Sequence, residues 1–476
     1  MKKIFGIVVV AVFLSVIFSA CKGDSNKKVK YVFYFIGDGM GLAQTSLAES
    51  YLASINGEKG MHRLSFNDFP SHGYATTFCQ NRLVTGSAAA GTALASGKKT
   101  SVNTIGLNGD HSIEYIPIAE KAKRKGYKVG IVSSVSIDHA TPASFYAHQP
   151  SRNMYYDIAC DLVESNFDYF GGGGFKYPDG KKNNQKSVFA FGQKAGYQII
   201  NEKEAFVELK SESSDKVIAY SPVLTSGEAL YYRIDQKENE LKLKDFTRKG
   251  IQLLDNEKGF FMMVEGGKID WACHANDAAA TIHEVIDFEE AIQEAVKFYN
   301  NHPDETLIVV TADHETGGLG LGYSGMGYET NLSLLQNQKA SMEEFEKIVI
   351  QYKNNNKPVF DEVLKLVSDY YGLNNGSEEL ALTDFEKSQL RIAFQESFIN
   401  NKQVKTSDFT MYGGYEPVSM TATKILNNKA GIGWTTYSHT ASPVPVRAIG
   451  KGHSLFNGYY DNTDIPSRIE ALMGLN

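Results

Sequence analysis

Four apolar runs, each stopped by side chains that carry chemistry, constrain this chain more than any other feature. YVFYFI (31–36) runs into Gly37-Asp38-Gly39-Met40-Gly41 and KVGIVSSV (128–135) into Asp138-His139-Ala140-Thr141-Pro142; FFMMV (260–264) ends at Glu265, and TLIVVT (306–311) at Asp313-His314. Unbroken apolar runs rich in aromatic and β-branched residues read as strands buried on both faces, the kind found in parallel sheets covered by helices. In such sheets ligands bind in the crevice at the carboxyl ends of the strands. The expectation is an α/β, three-layer fold: a mostly parallel central sheet flanked by helices, with a site along one edge.

The segment VEGGKIDWACH (264–274) is the densest of these. Glu265, Asp270 and His274 offer the oxygen and nitrogen donors that hard and borderline divalent cations take, although loop carboxylates beside a helix-surface histidine form the same pattern without a metal. In RLVTGSAAAGTALASGKKT (82–100), Ser87 heads a run of helix-forming residues. There it serves either as a helix cap or as a nucleophile, since free N–H groups and the positive end of a helix hold an anion. Arg152 supplies a fork for two oxyanion oxygens. With Asp38, Asp313, His314 and His439 added, the donors suffice for two zinc sites and a harder, oxygen-rich one. Paired zinc ions about 3.5–4 Å apart clamp the attacking and leaving oxygens of an in-line displacement at phosphorus.

Elsewhere the chain reads more plainly. A net charge of −7 argues against a nucleic-acid-binding role. Lys2 and Lys3 precede an apolar run from Ile4 to about Ala20, which ends at Cys21. That is the shape of a secretory signal, and it is short for a membrane span. Ser19 and Ala20 before Cys21 are similar to the bacterial lipoprotein processing site. By that likeness residues 1–20 are removed, Cys21 carries a lipid, and residues 21–30 are a polar tether. The protein is then exported and lipid-anchored to a bacterial membrane, periplasmic or at the cell surface. Cys79, Cys160 and Cys273 suggest no disulfide framework, and Cys273 reads as a buried thiol. A long helix from Ala275 to Asn301 is expected to leave His283, Glu284 and Asp287 on a solvated face, and residues 183–250 carry no recognisable chemistry. From 326 to 430 the texture changes to charged amphipathic helices such as MEEFEKIVIQYKN, read as a helical insertion acting as a lid or an oligomer surface. The core then comprises 31–325 and 431–476.

Taken in order, GDGMG, TGSAAAGTA, HATPASFYAH, SRN, VEGGKIDWACH, TADHETGG, SHT and DNTDI resemble the alkaline phosphatase family across those core residues. The resemblance implies hydrolysis of small-molecule phosphate monoesters with two Zn2+ and one Mg2+. By position, Asp270, His274 and His439 resemble the ligands of one zinc, and Asp38, Asp313 and His314 those of the other. Thr141 and Glu265, with the second oxygen of Asp38, resemble the magnesium site. Ser87 resembles the serine that becomes phosphorylated and is then freed by water, and Arg152 the phosphate-holding arginine. Monomer and homodimer both stay open.

Three departures stand out. Gly86 occupies a place where many members have an aspartate that helps orient the arginine. His139 and Trp271 replace an aspartate and a lysine of one bacterial branch, which puts Trp271 at the substrate and His139 behind the magnesium ligands. The insertion is longer than in compact members. Rival readings are the diesterases, sulfatases and phosphoglycerate mutases of the same superfamily, or a lipid-anchored protein that only binds metal or phosphate. Arg152 with Thr141 and Glu265 favours monoesters, because a dianionic phosphoryl group uses more positive charge. A protein that only binds leaves Ser87 unexplained.

Overall fold

A computed structural model describes residues 28–211, 215–355, 357–400 and 406–475. Residues 1–20, expected as a signal segment, Cys21 and most of the expected tether lie outside the described residues. Among the described residues no helix is long and apolar enough to cross a membrane.

Tyr31–Gly37 and Phe260–Gly266 are strands buried at every position, as unbroken apolar runs require when both faces are covered. They lie in a ten-stranded sheet. From one edge the order is Gly458–Asp461, Ser71–Thr76, Val444–Gly450, Thr306–Thr311, Tyr31–Gly37, Phe260–Gly266, Lys128–Ser133, Tyr169–Gly172, Val217–Tyr220 and Gln198–Ile200. All neighbours pair in parallel except Val444–Gly450, which is antiparallel to both strands beside it. The four apolar runs are consecutive strands, and their register aligns Ile36 with Thr311 and Glu265, and Glu265 with Ser133. Their carboxyl ends therefore stop at one level, and the loop leaving each strand meets the loop leaving its neighbour.

Helices cover both faces of the sheet. Leu243–Leu254 and Ala278–Asn301 pack on the central strands and on each other, while Ser87–Ser96, Ile118–Arg124 and Asp464–Met473 form the other layer. The long helix begins at Ala278, where the Asp277 carboxylate accepts the Ala280 N–H. Its expected solvated face is not there: Glu284 and Asp287 are buried and His283 is half-buried. A distant loop covers that stripe. The Arg233 N–H donates to Glu284 at 2.6 Å and the Arg233 guanidinium lies 3.9 Å from Asp287. Burial, with help from neighbouring carboxylates, pushes Glu284 up to about 8 and Asp287 up to about 7. Helical periodicity reports which residues are polar, and not which of them a distant loop will cover.

Between the core segments the chain forms the helices Met342–Asn355, Phe360–Tyr371, Asp384–Phe394, Thr406–Tyr412 and Pro417–Ala430. Their buried residues, among them Phe345, Val367, Tyr371 and Leu426, share one apolar cluster with Leu47, Tyr51 and Ile282 of the core helices. Asp277 joins the two parts a second time, accepting the Met342 N–H at 2.7 Å and the Gln338 amide at 2.9 Å.

Candidate active site

Ser87 is the first residue of its helix; Gly86 takes the capping position and makes no side-chain cap. The hydroxyl is therefore free of the capping role and sits where the helix presents unpaired N–H groups and positive potential. It is 2% exposed and its Oγ lies 3.3 Å from His314 Nε2. Arg152 stands nearby on backbone fixed by its N–H bond to the Asn103 carbonyl at 2.8 Å. Its guanidinium donates to His139 Nε2 at 2.9 Å. Burial and the Arg152 charge hold the His139 imidazole well below its usual range, so a neutral ring accepts this bond. His139 thus supplies the support for Arg152 that Gly86 does not.

Asp38 comes directly after its strand, and Gly39 beyond it has φ +73°. A Cβ on Gly39 would stand 2.9 Å from Asp270 Cα, so glycine lets the two segments close. Asp38, Asp313 and His314 have ligand atoms within 4.8 Å of one another, as do Asp270, His314 and His439, and Asp38, His139 and Glu265. His274 Nε2 joins the second group, 3.1 Å from His439 Nε2 and 3.3 Å from Asp270. Thr141 joins the third, donating to Asp38 Oδ2 at 3.2 Å. The eight residues expected as metal ligands are thus brought close together. His314 stands between two of the groups, and His139 reaches the oxygen-rich one as well as Arg152.

Hydrogen bonds fix which nitrogen each imidazole turns inward. His439 Nδ1 faces the Thr85 carbonyl at 2.9 Å and His274 Nδ1 the Tyr437 carbonyl at 2.6 Å, so both Nε2 atoms point to the site. Thr316 donates to Asp270 at 2.6 Å, leaving its oxygen to accept from His314 Nδ1 at 3.3 Å. His314 Nε2 then aims a lone pair at Asp313 Oδ2 (3.2 Å) and Asp38 Oδ1 (3.5 Å). These two oxygens and Glu265 Oε1 are buried without hydrogen-bond partners. Burial, reinforced by the neighbouring carboxylates, pushes Glu265 up to about 8, Asp313 up to about 7 and Asp38 well above the usual carboxylate range. Acceptors converging on acceptors in a dry site repel unless a cation lies between them. The donor sets fit that need: mixed nitrogen and oxygen around the histidines suits zinc, and oxygen around Glu265, Thr141 and Asp38 suits magnesium.

The sequence did not disclose the supporting residues. Ser133 donates to Glu265 Oε2, and Thr316 orients both Asp270 and His314. Glu315 accepts from Gln44 at 2.7 Å and from the Thr440 hydroxyl, which holds the short strands Glu315–Thr316 and His439–Thr440 antiparallel. That ladder lays His439 over His314, ring centroids 3.6 Å apart. Only the TADHET and SHT motifs hinted at these contacts, because a hydroxyl's partner depends on which segments the sheet brings together. Trp271 packs edge-on against His139 at 5.8 Å. From residues 183–250, Gly227 and Tyr232 line a cavity shared with Trp271.

Comparison with known proteins agrees with this geometry. The alkaline phosphatase family model matches residues 29–475. The chain is 32% identical to alkaline phosphatase 3 of Bacillus subtilis over 96% of its own length and 91% of that protein. A cold-active alkaline phosphatase from a psychrophilic Shewanella superposes with a TM-score of 0.77 at 30% identity, covering 93% of this chain and 99% of that one. A mutant of the TAB5 alkaline phosphatase, solved with Mg bound in its M3 site, superposes at 0.64 with 27% identity, covering 94% and 99%. With its ten-stranded sheet, its metal-type clusters and these relatives, the chain belongs to the alkaline phosphatase family and is a phosphomonoesterase.

Proposed function

We propose that the enzyme hydrolyses phosphate monoesters through a phosphoserine on Ser87, with two zinc ions and one magnesium ion. One zinc is assigned to Asp270, His274 and His439, the other to Asp38, Asp313 and His314, and the magnesium to Asp38, Thr141 and Glu265. The observation that carries this reading is His314 Nε2, whose lone pair faces unpartnered oxygens of Asp38 and Asp313 and, at 3.3 Å, the Ser87 hydroxyl. The magnesium bound in the M3 site of the TAB5 mutant supports magnesium as one of the cations. When bound, the cations supply positive charge to phosphoryl oxygens and lower the pKa of an adjacent hydroxyl or water. Arg152, held by His139, grips two phosphoryl oxygens and fixes the phosphorus over Ser87. Ser87 Oγ attacks, the phosphorus–alcohol bond breaks, and water then attacks the phosphoserine to release phosphate and restore the hydroxyl. The helices between 326 and 430 are assigned to an insertion that walls the site. Export and a lipid anchor on Cys21 are supported by the amino-terminal sequence alone.

Metal analysis of the purified protein, with rates compared for a monoester, a diester and a sulfate ester, tests this reading. The expected result is two zinc and one magnesium per chain with a strong monoester preference. Full activity without zinc, or a diester turned over as fast as a monoester, would overturn it.

Trp271 and His139 give a second test. Lysine at 271 adds a cation beside the phosphate, and aspartate at 139 gives Arg152 a charged partner and makes the oxygen-rich group more anionic. The double variant Trp271→Lys, His139→Asp is expected to lower the phosphate inhibition constant roughly tenfold, since a charge-assisted contact contributes about 1.5–3 kcal/mol. Its response to added magnesium should disappear. Unchanged values in both measurements would leave the two residues as packing.

A further inference from the structure

Beside the metal-type clusters lies a cavity of about 310 Å³ whose walls come from both parts of the fold. Trp271 and His274, from the short helix Lys268–His274, form one side. That helix also carries Asp270, so the cavity abuts the reacting centre directly. Tyr232 and Tyr415 line it as well, as do Glu343 and Glu346, one helical turn apart on Met342–Asn355. The lining therefore combines aromatic rings with two carboxylates.

The two carboxylates are not equivalent. Glu343 lies 3.5 Å from Lys268 Nζ and 3.4 Å from Lys347 Nζ, and these lysines hold it below the usual carboxylate range although burial opposes them. Lys268 is sealed beneath the cavity, fully buried with its ammonium 3.4 Å from the Tyr232 ring centroid. Among the described residues Glu346 forms no such ion pair; burial, with repulsion from Glu416 and Glu343, pushes it up to about 7, although the Glu416 N–H and the Lys347 charge pull the other way. Glu416 is itself engaged, accepting the Val418 and Ser419 N–H groups. Around the cavity the three carboxylates of Glu343, Glu346 and Glu416 outnumber the ammonium groups of Lys268 and Lys347, and a negative excess beside aromatic rings is a setting that binds alkylammonium groups.

We propose that this cavity is the leaving-group subsite of the phosphatase and that it favours monoesters whose alcohol bears a short alkylammonium group, with Glu346 as counter-charge and the Trp271, Tyr232 and Tyr415 rings as walls. The proposal rests on the phosphoryl group lying between Ser87 and Arg152, as assigned under the proposed function.

The test uses the full-length, metal-loaded enzyme and two esters of one shape, choline phosphate and the uncharged 3,3-dimethylbutyl phosphate. Methyl phosphate, whose alcohol does not reach the cavity, is the reference for each protein. The ratio of kcat/KM for the charged ester to that for the neutral one is compared among wild type, Glu346→Gln and Glu346→Lys, so the intrinsic reactivities of the esters cancel. A single charge contact on a partly buried carboxylate predicts a fall of about threefold to tenfold in Glu346→Gln, with a further fall in Glu346→Lys. A ratio equal in all three proteins overturns the charged subsite, including the case in which both bulky esters outpace methyl phosphate and the cavity is merely apolar. Hydrolysis of none of the three esters by wild type would instead overturn the assignment of the reacting centre itself.

Discussion

Ser87→Ala is expected to lower kcat for a phosphate monoester by at least about 10³-fold, the scale seen when a nucleophile is removed from an otherwise intact site. Bound zinc should not change, because Ser87 belongs to none of the three ligand groups. Stability should not change much either. Alanine is the best helix former, and the cap belongs to Gly86, so the cost of about 1 kcal/mol that attends loss of a true serine cap does not arise. Acid-quenched wild type incubated with labelled ester should carry covalent phosphate, and the variant none. A variant that keeps more than a tenth of the rate, or still becomes labelled, removes Ser87 from the nucleophile's role.

Chelation should abolish turnover and lower the unfolding temperature together. Asp38, Glu265 and Asp313 are buried with unpartnered oxygens, and burial has already pushed each above its ordinary range. Without cations these carboxyls protonate or repel one another, and both outcomes weaken the native state. A ligand present at a thousandfold excess over its Kd contributes about 4 kcal/mol to stability, so the loss should be plain in a thermal melt. Zinc and magnesium together should restore both properties. His439→Ala should lose about one zinc per chain, since a site left with two protein ligands is open to solvent. A chelated protein that melts at the same temperature, or a His439→Ala protein with full zinc, would mean that the clusters hold no structural cation.

The strand runs were legible because a strand buried on both faces is apolar along most of its length, as residues 260–264 are before Glu265 ends the run. Asp38, Glu265, Asp313 and His314 were legible for a related reason: polar residues that stop such a run can lie only at the sheet's edge. Their surroundings were not. That His139 holds Arg152, that Thr316 orients both Asp270 and His314, and that Ser133 answers Glu265 all depend on the lateral order of the strands, which no stretch of sequence states. Glu284 and Asp287 misled for the same reason, since the loop that buries them begins some fifty residues earlier, at Arg233.

His439 reaches the site through a two-residue ladder with Glu315–Thr316, just ahead of the strand that enters the sheet antiparallel. The donors thus run from Asp38 to His439, and none of the metal-type groups closes by local contacts alone. Loop-closure entropy must be overcome several times before any of them can hold a cation, which makes the site a late product of folding. A nascent chain that has not yet supplied His439 is therefore expected to be inactive, whatever else has already folded. In a refolding experiment, recovered activity should for the same reason lag behind recovered helix signal, because turnover reports the last contact made.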